Sequence, residues 1–89
     1  MAAELHVSSL VLQARPTALV AVTDAIQRMP GARVHAVAEL GKMVVTLETA
    51  DESEIVDRMN EMSLLPGVLS AALVFHQVEE IGKMEAIEP

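Results

Sequence analysis

Two segments of this chain end in the same way. "MPGARV" from Met29 and "LPGVLS" from Leu65 each stop a helix-patterned run with Pro-Gly and begin a new apolar run at once. Glycine just past a helix takes up the left-handed conformation that closes the last turn, and proline prevents continuation. A chain with two such corners in 89 residues passes twice from helix to strand. Before the first corner, Leu19, Val22, Ile26 and Met29 recur at helical spacing, with Asp24, Gln27 and Arg28 on the other side and Pro16 suited to a first turn. Before the second, Ile55, Val56, Met59 and Met62 do the same, and Asp51 and Glu54 have the spacing of an N-cap and its reciprocal partner. Strand-like runs flank these helices near Leu5–Ala14, Ala32–Glu39, Lys42–Thr49 and Val68–Val78, and "LGK" from Leu40 makes a tight turn between the middle two.

The order is βαββαβ. With right-handed crossovers, a doubled βαβ unit gives an α+β ferredoxin-like fold: a four-stranded antiparallel sheet of order 4-1-3-2 with both helices on one face. Residues 1–80 are expected to form this single domain, and the mixed, acidic residues 81–89 a flexible tail.

Such a sheet has a covered face and an open one, and alternation assigns residues to each. On the third strand Met43, Val45 and Leu47 belong in the core, which turns Val44, Thr46 and Glu48 outward. On the first, Leu10 and Leu12 face inward, and Ser9, Val11 and Gln13 outward. On the second, Val34, Ala36 and Ala38 are expected inside and Arg33, His35, Val37 and Glu39 outside. On the fourth, Leu69, Ala71, Leu73 and Phe75 form the bulkier row, so Ser70, Ala72, Val74 and His76 are expected on the open face. The result is a shallow apolar floor with a polar rim.

Composition narrows what that floor can bind. A formal net charge of −7, with six Lys and Arg in all, argues against nucleic acid, whose binding is driven by clustered cations. Phe75 is the only aromatic residue, and its assignment to the core leaves no open-face ring on which RNA bases could stack. There is no cysteine for a thiolate nucleophile, a disulfide or a copper-binding Cys-x-x-Cys loop, and the glycines are too scattered for a phosphate cradle. His35 and His76 fall on opposite edge strands, roughly 14 Å apart across three strand spacings, and His6 on the other face, so no metal site is expected. No cofactor is implied either, and no grouping of Ser, His and Asp suggests an enzyme. The segment "MAAELHVSSLVLQARP" lacks a basic n-region and its apolar run is interrupted, so neither export nor membrane insertion is expected.

The pieces "SSLVLQAR" (Ser8 to Arg15), "MPGARVHAV" (Met29 to Val37) and above all "LPGVLSAALVFHQVEE" (Leu65 to Glu80) resemble the NapD family, small cytoplasmic chaperones for the catalytic subunit of periplasmic nitrate reductase. The resemblance implies a monomeric cytoplasmic protein that binds the twin-arginine signal peptide of the enzyme precursor and holds back export until the molybdenum cofactor is loaded. Transferred to this chain, that role makes Val11, Val44 and Val74 the floor and directs Glu48, Glu79 and Glu80 at the arginines. Gln13 and His76 become polar anchors, and the small residues Ser9, Thr46, Ser70 and Ala72 make room for a helical guest. The competing expectation is an ACT-like small-molecule-sensing or oligomerising module of the same fold, but "QARPTAL" lacks the Gly-rich effector loop that such a module needs.

Overall fold

The computed structural model describes residues 4–80; the expected tail at 81–89 lies outside them. Strand β1 (Glu4–Ala14) leads through a 3-10 turn at Pro16–Ala18 into helix α1 (Leu19–Gln27). Strands β2 (Ala32–Val37) and β3 (Lys42–Thr49) follow, then helix α2 (Glu52–Ser63) and strand β4 (Val68–Glu80). The sheet order is β2-β3-β1-β4 with every neighbouring pair antiparallel, which is the expected order read from the other edge. Helix α1 lies over β2, and α2 over β3 and β4. Gly31 and Gly67 carry φ of 79° and 94° at the two Pro-Gly corners, so the glycines supply the handedness that lets each helix turn directly into a strand.

The core between helices and sheet is aliphatic throughout. Leu10, Leu12, Ala14, Val22, Ile26, Met43, Val45, Leu47, Ile55 and Met62 are buried, as alternation on β1 and β3 requires. On β1 the same row continues through Ser8 and His6, both buried.

Helix α2 is started by Asp51, whose carboxylate accepts the Glu54 backbone N–H at 3.1 Å and the Ser53 hydroxyl at 2.6 Å. The expected return bond from Glu54 is not among the hydrogen bonds of the described residues; Ser53 holds the cap instead. The Ser53 hydroxyl first, and the Glu54 N–H second, hold the Asp51 carboxyl below its ordinary value of 3.8. A depressed folded value stabilises the protein above the unfolded one and loses that contribution as pH falls through the folded one. Asparagine caps about as well but does not titrate. The wild type should therefore exceed Asp51→Asn in Tm near neutrality, and the gap should close below about pH 4. A gap of the same size at pH 3 and pH 7 in parallel thermal melts would show that the charge contributes nothing.

Candidate functional site: the open face of the sheet

The strand register arranges the open face in rows across the strands. Starting where β1 begins, Leu5 lies beside Glu79, and in the next row Val7 sits between Glu48 on β3 and Gln77 on β4. Then come Arg33, Thr46, Ser9 and Phe75, followed by Ala36, Val44, Val11 and Ala72, and last Lys42, Gln13 and Ser70. Among the described residues neither helix covers this face. The row of Ala36, Val44, Val11 and Ala72 is small and apolar, one end of the face is acidic, and Lys42 marks the other.

Nine of the expected residues are here: Ser9, Val11, Gln13, Val44, Thr46, Glu48, Ser70, Ala72 and Glu79. Gln13 is already engaged, because its amide donates to the Leu40 carbonyl at 3.0 Å and ties the β2-β3 turn to β1. That makes it a fastening of the hairpin more than an anchor for a guest. Glu80 closes β4 opposite Glu4, and its side chain lies outside the described residues.

The far half of β4 departs from expectation. The register with β1 shifts between Ser9 and Leu10, leaving Val74 unpaired and 60% exposed, and shifts again near the start of the strand, leaving Leu69 unpaired. An extra residue in one strand reverses the alternation beyond it. His76 is therefore opposite Ser8 on the helix-covered face, and Phe75 is opposite Ser9 on the open face, 52% exposed. Both assignments are the reverse of the simple alternation. A smaller shift at His35 on β2 does the same: Ala36 pairs with Val44 on the open face and Val37 with Met43 on the core side. His35 stays on the open side, where its Nε2 lies 2.6 Å from the Thr46 hydroxyl. With Arg33, Glu48 and Val7 these two residues line a depression of about 380 Å³.

His76 has an alternative partner that spacing did not suggest. Its Nε2 lies 3.1 Å from Nδ1 of His6, whose own Nε2 is 3.3 Å from the Glu4 carboxylate. The rings are within 18° of parallel with centroids 5.3 Å apart, the separation of two imidazoles joined nitrogen to nitrogen along a common line. One ring's N–H thus donates in plane to the nitrogen lone pair of the other, a hydrogen bond that fastens β4 to β1 beyond the bulge. Ligation of one metal ion would need both nitrogen lone pairs to converge on it, a different ring arrangement, and among the described residues no group of three or more potential ligands is found. Sequence separation hid this pair: the residues are 70 positions apart, and only the bulge brings them to one face.

Comparison with known proteins resolves the class. A family model described as "NapD protein" matches residues 5–80. The chain belongs to the NapD family. The NapD chaperone of Paracoccus pantotrophus is 37% identical over 83 residues, 93% of this chain and 73% of that protein. The NapD chaperone of Escherichia coli K12 is 31% identical, with 88% and 91% covered. The solution structure of the E. coli Tat proofreading chaperone NapD superposes with a TM-score of 0.78 at 29% identity, over 92% of this chain and 87% of that one. An AsnC-family transcriptional regulatory protein of Pyrococcus furiosus reaches a TM-score of 0.66 over 78% of this chain, and at 16% identity it shares the fold alone. Like its NapD relatives, this protein is a chaperone and not an enzyme, and none of the helices among the described residues is long and apolar enough to cross a membrane.

Proposed function

We propose that the open sheet face binds the twin-arginine signal peptide of the periplasmic nitrate reductase catalytic subunit, in the cytoplasm and as a monomer, and delays export until the cofactor is in place. The observation that carries this reading is the uncovered face itself, with Val11, Val44 and Ala72 in one row and Glu48 and Glu79 at one end. A twin-arginine peptide presents two guanidinium groups followed by an apolar stretch, which is the complementary pattern. The Tat proofreading role in the E. coli relative's description agrees with it.

A helical guest on the face fits better than a strand added at an edge. Both edge strands are bulged, β2 at His35 and β4 at Leu69 and Val74, and bulges twist an edge out of the flat register that strand addition needs. Burying about 400 Å² of apolar guest surface contributes on the order of 10 kcal/mol gross, much of it offset by the ordering of the peptide. Micromolar or tighter binding follows.

Calorimetric titration with a synthetic signal peptide, followed by amide shift mapping, tests the proposal. One-to-one binding with the largest shifts at Ser9, Val11, Val44 and Ala72 is expected. No binding, or shifts confined to the outer surfaces of α1 and α2, would end it.

A further inference from the structure

The open face is electrically lopsided in a way that its two acidic residues alone do not reveal. β1 and β4, which pair with each other along their whole length, contain no lysine or arginine at all. β2 contributes Arg33 and β3 contributes Lys42. Arg33 lines the same depression as Glu48, so the β3 carboxylate shares its surroundings with a cation, although no ion pair joins the two among the described residues. Glu79 has no cation in contact among the described residues.

The corner around Glu79 is also chemically specific. Phe75, Gln77 and Glu79 follow one another on the open side of β4, at steps of about 6.6 Å. The Gln77 amide donates to one Glu79 oxygen at 3.2 Å. A carboxylate only accepts, so the Gln77 carbonyl oxygen is turned to the other side and remains an acceptor, as does the second Glu79 oxygen. An exposed aromatic face, a carbonyl acceptor and a carboxylate thus lie in line. Phe75 is the only aromatic residue of the chain, and it is held out of the core by the Val74 bulge.

We infer that this strip is the arginine receptor and that it sets the guest's direction: one guanidinium stacks on Phe75 and donates to Gln77, and its neighbour pairs with Glu79. Consecutive side chains of a helix diverge by about 100°, so two arginines need two separate receptors, and a strip over 10 Å long supplies them. Arginine is better suited than lysine to both contacts, because its planar fork stacks on a ring and bonds in plane simultaneously. The apolar stretch then runs from this corner over Val11, Ala72 and Val44 towards Lys42, with the guest's N-terminus at the end where β1 begins. From Leu5 to Gln13 the floor is about 26 Å long, room for a helix of about 17 residues.

The inference rests on signal-peptide binding, and the test separates the two. The probe is a synthetic peptide with two adjacent arginines and an apolar stretch of about 12 residues, carrying a nitroxide at either end. The N-terminal label should broaden the amide signals of Leu5, Gln77 and Glu79, and the C-terminal label those of Gln13, Lys42 and Ser70. The reverse pattern in a saturated complex would overturn the direction while leaving signal-peptide binding intact; a peptide that does not bind at all would remove both. Phe75→Leu, at an exposed position, should weaken the arginine peptide about fivefold to tenfold and its two-lysine counterpart far less. Equal losses for the two peptides would show that Phe75 offers only apolar area.

Discussion

Replacing Val11 and Val44 together by glutamate should lower signal-peptide affinity about 100-fold or more, while circular dichroism and the dispersion of amide signals stay those of the wild type. The two valines are paired directly across β1 and β3 in the middle of the open face, partly exposed and outside the core. Glutamate can therefore point into solvent in the free protein. Some instability follows from carboxylates placed opposite each other, of order 1 kcal/mol, and the single variants control for it. In the complex the same carboxylates lie under the apolar part of the guest, where no donor compensates their desolvation. Glutamate is the stringent choice because added negative charge strengthens the long-range attraction for an arginine peptide. A loss in spite of that attraction identifies apolar contact as the binding force, and affinity within threefold of wild type would refute the assignment of this face.

How much of the site could be read from sequence differs from strand to strand, and the reason is register. β1 and β3 are the central strands, paired on both sides, and their bulky rows, Leu10 and Leu12 on one, Met43, Val45 and Leu47 on the other, are buried as alternation demands. Ser9, Val11, Val44, Thr46 and Glu48 follow on the open side. β4 is an edge strand of 13 residues against the 11 of β1, and it absorbs the excess in bulges. A row chosen for bulk, Leu69 to Phe75, crosses both shifts and mixes faces. A trace of the bulge was nonetheless present in the polar residues. Ser70 and Ala72 continue in steps of two to Val74 and His76, whereas Glu79 and Gln77 lead back to Phe75 and Leu73. The two phases conflict, and in a strand that lies against a single partner such a conflict needs an extra residue. Following the polar residues from both ends would have placed Phe75 outside and His76 within reach of His6. The fold tolerates the shift because α2 covers β4 only partly, and Leu73 and Val78 remain about half exposed on the helix side. Nothing in alternation identifies the guest; the quoted segments carry that through family resemblance.

Gly31→Ala should be strongly damaging for a change of one methyl group, and it should act on stability before it acts on binding. Gly31 has φ of 79°, a conformation that costs an L-residue of order 1 kcal/mol, and a methyl built there would stand 2.1 Å from the Glu48 carbonyl oxygen. That oxygen belongs to backbone that cannot swing aside, because the Glu48 N–H is itself bonded to the Gly31 carbonyl at 2.9 Å. Relief requires separating the end of β3 from the corner that begins β2, and overpacking of this kind typically costs a further 1–3 kcal/mol, about 2–4 kcal/mol in all. Against a stability of about 4–13 kcal/mol for a domain of this size, the expected fall in Tm is roughly 10–25 °C. Gly31→Asn separates the two causes, since asparagine tolerates the left-handed region but carries the same Cβ. If the contact with Glu48 dominates, both variants should melt at nearly the same temperature; recovery of most of the loss by asparagine would assign the damage to backbone conformation and show that the corner can open. Because Glu48 lines the rim of the open face, the surviving folded fraction of either variant should also show displaced amide signals at Glu48, Thr46 and Arg33 before any peptide is added.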